Sequence, residues 1–225
     1  MKIIKAKDIQ TKNSTYLIYA SPGTGKTTAL KFLAGQTLVI DIDKSSAVLK
    51  GCENIDIAEI DTHNAFKEWL AITKELLTTD IIKDYDNLVI DNISELFRSC
   101  LANLGREGKN NRVPSQSDYQ RLDFTLLDSL RALQSLPVKL VLTAWETSDL
   151  WTEENGQQFN RAIPDIRPKI LNNFLGLIDV VARLTTKKDE EGEVIRGFIL
   201  EGSRSVYAKN RLDDRKGCKV DELWN

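Results

Sequence analysis

The chain has 225 residues, 31 of them basic and 33 acidic, for a formal net charge of −2, and 41% are hydrophobic. This composition suits one α/β domain with a sizeable core, and no apolar stretch approaches the roughly 18 residues that would span a membrane. The balanced charge excludes a generally basic nucleic-acid binder, so any polyanion site has to be a local patch.

The cysteines Cys52, Cys100 and Cys218 are far apart, no CxxC pair occurs, and His63 is the one histidine. That argues against a zinc site and for reduced thiols in a cytoplasmic setting. The opening Met1-Lys2-Ile3-Ile4-Lys5 is too short and too charged for a signal peptide, so the expected location is the cytoplasm.

In chain order, the first apolar run of strand length is 15–20. It leads into Ala20-Ser21-Pro22-Gly23-Thr24-Gly25-Lys26-Thr27, and 27–34 reads as a helix stopped at Gly35. Strand, glycine-rich loop and helix in this order form a phosphate-binding P-loop. Gly23 and Gly25 let backbone N–H groups turn inward around a phosphate. Lys26 is spaced to reach the β- and γ-phosphates, and the Thr27 hydroxyl to ligate Mg²⁺. The expected nucleotide-binding set is Ser21, Pro22, Gly23, Thr24, Gly25, Lys26, Thr27 and Thr28, with ATP and Mg²⁺ as ligands. Ala20 stands where the strict pattern has Gly, at the least demanding position of the loop.

The next strand, 37–41, leads to Asp41 and Asp43 at the edge where ligands collect in such sheets. Either can orient the attacking water; solvated turn residues are the plainer alternative. A helix is expected at 64–77, followed by the strand 88–91. That hydrophobic strand ending in a carboxylate is a Walker B signal, with Asp91 holding Mg²⁺ through water or through Thr27. Helices follow at 93–104 and 117–135, with a long loop, 105–115, between them.

The strand 138–144 ends near Thr143 and Glu146, where a γ-phosphate sensor belongs. A carboxylate there repels phosphate unless a cation or water intervenes, so polarising water suits Glu146 better. A second long loop spans 147–168, and Pro168 fits the first turn of a helix at 168–175. After the strand 177–184, segments 183–186 and 194–200 read as a β-hairpin around a charged tip, 187–193, with a further short strand at 202–208. Lys209 and Arg211, two apart on a strand, point the same way and make a two-pronged cation. They can close on a neighbouring subunit's triphosphate or simply form a solvated strand end. The alternation of strands and helices predicts a three-layer α/β fold: a mainly parallel sheet flanked by helices, with a C-terminal β-hairpin, in a single domain over 1–225.

With these residues in place, the chain resembles a RecA-type ATPase core over about 15–211. Residues 38–43 resemble the family strand that ends in the catalytic carboxylate, Glu in the recombinases and Asp43 here. Residues 88–91 match its Walker B strand. Residues 140–146 resemble the strand whose terminal polar residue, Gln in the recombinases, couples nucleotide to DNA; it matches Glu146. Residues 208–211 are similar to the Lys-x-Arg finger of replicative hexameric helicases, through Lys209 and Arg211. The two long loops fall where that family has its DNA-binding loops. More closely, the size and the 16–27 run look like phage nucleotide-binding proteins classed as AAA-family ATPases, including Sak-type single-strand annealing proteins. Asp at 43, Glu at 146, and the lack of an N-terminal polymerisation domain or a C-terminal domain weigh against filament formation and full strand exchange.

The resemblance implies a P-loop ATPase acting on single-stranded DNA in phage recombination or replication. It also implies a homo-oligomer, ring or short filament, with fingers in trans. Arg106, Lys109 and Arg112 in the first loop, and Arg161 and Arg167 in the second with Trp151 and Phe159, supply phosphate contacts and stacking platforms. The alternative is a nucleotide-dependent switch or assembly factor that engages protein partners without DNA. A kinase would need an arginine-bearing helical lid, and an AAA+ remodelling ATPase a C-terminal helical bundle. The β-rich C-terminus suits neither.

Overall fold

In this computed structural model, residues 5, 13–188 and 192–224 are described. The elements in order are β1 (Thr15–Ala20), α1 (Lys26–Ala29), β2 (Thr37–Asp41), β3 (Ile55–Glu59), α2 (Ala65–Thr78), β4 (Asn87–Asp91), α3 (Ile93–Glu107), α4 (Gln116–Leu133), β5 (Lys139–Thr152), β6 (Gln158–Pro164), α5 (Pro168–Leu177), β7 (Val180–Lys188), β8 (Val194–Ile199), β9 (Lys209–Asn210) and β10 (Gly217–Lys219).

The strands form one sheet in the order β10-β8-β7-β1-β5-β4-β2-β3, with β6 added to β5 and β9 to β7. From β7 to β3 every neighbouring pair is parallel. The pairs β7–β8, β8–β10 and β5–β6 are antiparallel. The P-loop strand β1 and the Asp91 strand β4 are thus separated by β5. All residues of β1, β2 and β4 are buried. That explains their unbroken apolar runs, because a parallel strand covered on both faces has no side left for alternating polar residues.

Alternation along the strands sorts the core into two layers. Leu17, Tyr19, Leu88, Ile90, Leu140 and Leu142 pack on one face against α2, α3, α4 and α5. Tyr16, Ile18, Val39, Val89 and Val141 pack on the other with α1 residues and the C-terminal Trp224. Each fully buried large apolar side chain contributes roughly 1.5–3 kcal/mol relative to exposure, so the core outweighs any surface ion pair. Local signals set the helix starts. Ser115 and Asp118 form a reciprocal capping box at α4, and the Asn92 side chain accepts from the Glu95 N–H at 2.7 Å to cap α3.

The expected helix at 27–34 is shorter: α1 gives way to a 3₁₀ turn over Leu30–Phe32. The Leu33 N–H takes the Leu30 carbonyl at 3.0 Å and the Asn87 amide takes the Ala34 carbonyl at 2.9 Å, pulling the chain back toward β2. Edge strand β3 has no counterpart in the sequence-based elements. Its alternating Ile55, Asp56, Ile57 and Glu59 belong to a strand paired on one side only, where charge discourages further pairing.

Helix α3 runs to Glu107, which shortens the first expected loop. The second expected loop is a two-stranded arm. β5 continues past the sheet to Thr152 and pairs with β6 from Glu146↔Pro164 to Thr152↔Gln158. Gly156, at φ +83°, turns the connection. The arm reads as a loop in sequence because no helix covers it and its residues never form an apolar run. The hairpin of β7 and β8 forms as expected; Asp189, Glu190 and Glu191 of its charged tip lie outside the described residues. The expected strand at 202–208 is reduced to a bridge between Val206 and Ala162, with regular pairing at β9 instead.

Candidate nucleotide site

Gly23 and Gly25 adopt φ of +80° and +108°, the left-handed region that residues with a Cβ avoid, and so shape the P-loop between β1 and α1. The loop borders a cleft of about 260 Å³ at the carboxyl edge of the sheet. Its lining is Pro22, Gly23, Gly25, Lys26, Thr27, Thr28, Asp43, Ser45, Val48, Asp91 and Trp145.

Lys26 is 7% exposed, and its Nζ donates to the main-chain carbonyls of Ala20 at 3.0 Å and Ser21 at 3.3 Å. Burial lowers its pKa, against the pull of Asp91, Asp43 and Glu146. Asp91 is buried at the end of β4. Its Oδ2 accepts from the Thr27 hydroxyl at 2.7 Å and from the Ser45 hydroxyl at 3.2 Å, and its Oδ1 from the Thr143 hydroxyl. Burial raises the Asp91 pKa, while the Thr143 and Thr27 hydroxyls favour the carboxylate. Thr27, Ser45 and Asp91 present only oxygen donors, the chemistry that suits Mg²⁺.

The two acidic candidates after β2 separate. Asp41 accepts from the N–H groups of Ser45 and Ser46, both at 3.1 Å, and holds the turn. Asp43 borders the cleft; the Asn92 amide donates to its Oδ2, and its Oδ1 is buried without a hydrogen-bond partner. An orphaned buried carboxylate oxygen is uncommon, and here it sits beside the phosphate loop.

The β5 pleat divides its own candidates. Thr143 bonds Asp91 and Trp145 lines the cleft, whereas Glu146 is not part of the lining. Glu146 takes a bidentate pair from Arg183 on β7, at 2.7 and 3.0 Å. Of the two intervening groups expected there, a cation or a water, Arg183 is a cation, and it engages both Glu146 oxygens. Lys209 donates to the Leu175 carbonyl at 2.5 Å and Arg211 to the Gly176 carbonyl at 3.1 Å, both at the end of α5. Burial and the neighbouring Arg211 bring the Lys209 pKa down to about 8.

The five cations expected to meet DNA are spread apart. Arg106 donates to the His63 carbonyl at 2.5 Å. Lys109 and Arg112 are exposed in the turn after α3. Arg161 pairs with Asp149 at 2.9 Å and stacks 4.2 Å from the Trp151 ring. Arg167 pairs with the buried Asp123 at 2.7 Å, its guanidinium 4.5 Å from the Tyr119 ring. Sequence reasoning passed over Ser45, Asn92 and Arg183. Asn92 directly follows Asp91 and was open to suspicion on that ground; Ser45 and Arg183 carry no local signal.

A P-loop strand separated by one strand from its acidic partner strand, in a mainly parallel sheet with helices on both faces, defines a P-loop ATPase of RecA-like fold. A family model described as an AAA domain matches residues 12–212, nearly the whole chain, and the chain belongs to that family. Among solved structures it is similar to a KaiC-like protein from the hyperthermophilic archaeon Pyrococcus horikoshii OT3. The identity is 14%, the match covers 83% of this chain and 77% of that one, and the TM-score is 0.43. No curated protein matches. Among the described residues no helix is long and apolar enough to cross a membrane.

Proposed function

We propose that this ATPase hydrolyses Mg²⁺-bound ATP and couples turnover to single-stranded DNA, working as a homo-oligomer. The observation that carries the reading is the continuity of β5. One strand runs from Thr143, bonded to Asp91 in the cleft, to Trp151 on the exposed arm.

Each cleft residue has a task that its present bonds allow. Lys26 exchanges two main-chain carbonyls for phosphate oxygens. Thr27 and Asp91 hold Mg²⁺, which supplies charge neutralisation of the phosphates when bound. The free Oδ1 of Asp43 accepts a hydrogen bond from the attacking water and orients it. Thr143 keeps Asp91 aligned. Arg183 holds Glu146 at the root of the arm, so Glu146 serves as a coupling residue between cleft and arm. Lys209 and Arg211 act on a neighbouring subunit's nucleotide by leaving the α5 carbonyls. On the arm, Trp151 offers a stacking face, while exposed Lys109 and Arg112 offer phosphate contacts.

The second reading, a switch that engages protein, draws support from the same arm. Leu150 is 60% and Trp151 42% exposed, and Arg161 is already neutralised by Asp149. ATP turnover together with mass measurement, with and without single-stranded DNA, separates the two. Stimulated turnover and a larger assembly on DNA are the expected results. Turnover that ignores DNA, with no shift in a binding gel, leaves the protein-partner reading in its place.

A further inference from the structure

The hairpin of β7 and β8 packs Leu184 and Phe198 into the apolar layer that also holds α1, with the Phe198 ring 6.5 Å from that of Trp224. Arg196 lies two residues before Phe198 on the same strand. The pleat therefore sends it to the same face, past the end of the apolar layer. There it meets the P-loop. Its Nε donates to the Thr24 carbonyl at 3.1 Å. Its Nε and Cδ would stand 3.3 and 3.6 Å from a Cβ on Gly25, so a side chain there would press against Arg196.

The surroundings of Arg196 differ from those of the arginines on the arm and on the opposite face of the sheet. Arg161, Arg167 and Arg183 are each neutralised by a carboxylate. Arg196 is exposed, and among the described residues its one hydrogen bond is to a neutral carbonyl. That bond engages Nε alone and leaves the two terminal nitrogens of the guanidinium for another acceptor. A carbonyl accepts one N–H, whereas a phosphate accepts the fork of a guanidinium at two points.

We propose that Arg196 is a phosphate ligand of the bound nucleotide, supplied in cis by the hairpin at the rim of the P-loop beside Gly25 and Thr28. The inference rests on reading the cleft as the nucleoside triphosphate site. Lys26 serves the inner side of the loop and Arg196 the outer rim. The hairpin thereby gains a direct contact with nucleotide.

The competing role is a clamp that merely steadies Thr24, and two variants of the full chain distinguish them. Gln at 196 keeps an N–H donor for the Thr24 carbonyl but no charge; Lys keeps the charge. Fluorescent methylanthraniloyl-ATP is titrated into wild type, R196Q, R196K and K26A, with melting temperatures measured alongside. Because charge-assisted hydrogen bonds are the stronger ones, R196Q is expected to bind about ten-fold more weakly, and R196K within about three-fold of wild type. Both variants should keep the wild-type melting temperature. Raising the salt concentration should weaken wild type more steeply than R196Q, since a charge contact is screened. R196Q binding like wild type at every salt concentration overturns the proposal and leaves the clamp. Equal losses in R196Q and R196K with lowered melting temperatures overturn it as well. Wild type and K26A binding equally well would instead overturn the reading of the cleft itself.

Discussion

In the sheet half of β5, Trp145 borders a cleft in which Lys26, Asp43 and Asp91 converge from beyond three separate strands, and the buried Thr143 bonds Asp91. At the other end, the arm carries Arg161 against Asp149, and Arg167 just beyond it lies against Asp123. The cleft groups keep spare capacity: Lys26 holds only neutral carbonyls and Asp43 has an unpartnered buried oxygen. The arm arginines are matched by carboxylates and stacked on rings. A buried polar group left unsatisfied is costly, so the orphaned Asp43 oxygen beside the phosphate loop marks a place where a ligand completes it. A cation already paired must give up its partner before it can take a phosphate.

The strongest challenge to this contrast is Lys26→Ala. Phosphate release should fall to background while the melting temperature stays near wild type. Retained turnover would place the chemistry outside the cleft. Next is Asp43→Asn, which keeps the shape but removes the charged oxygen. We expect kcat to fall about 10²- to 10⁴-fold with ATP affinity preserved, because a positioned proton acceptor is lost rather than a binding contact. Asp41→Asn is the comparison, and its effect should appear in stability of the turn instead.

On the arm side, Arg167→Ala strands the carboxylate of Asp123, which is buried while Arg167 is partly open to solvent. The expected cost is about 2–3 kcal/mol in urea denaturation, below that of a fully buried pair. Unchanged stability with weakened DNA binding would make Arg167 a DNA ligand and erase the contrast. The smallest effect concerns Lys209, whose pKa near 8 lies below the ordinary lysine value of 10.5. Between those values the unfolded chain holds a proton that the folded one has released, so stability should rise with pH across that window. Below pH 8 both states are charged and the penalty is present in full. Lys209→Gln should flatten the rise in denaturation midpoint from pH 8 to 10.5; an identical slope in the variant would exclude Lys209 as its source.

Much of the centre was legible. The P-loop is a local pattern, because one phosphate is wrapped by consecutive backbone groups, and Asp91 announces itself by ending an apolar strand. The arm was not legible, since a strand with neither face covered has no apolar periodicity. Edge strand β3 escaped for another reason: its alternation of Ile55, Asp56, Ile57 and Glu59 is short and interrupted by charge, so it forms no apolar run. The choice between Asp41 and Asp43 depended on which carboxylate caught the Ser45 and Ser46 N–H groups, a matter of turn geometry. For Glu146 the sequence left a cation or a water as the intervening group, and the structure supplies the cation, Arg183.

From sequence alone, then, come the parallel α/β architecture, the phosphate loop and the acidic strand end, because each is written in neighbouring residues. Only the tertiary structure decided which side chains share a face of the sheet. The pleat turns Trp145 to the cleft and Thr143 to Asp91, and pairs Glu146 with Arg183. It also lays Arg196 on a loop that precedes it by 172 residues. No local pattern encodes such pairings, since they follow from strand order and register across the whole sheet.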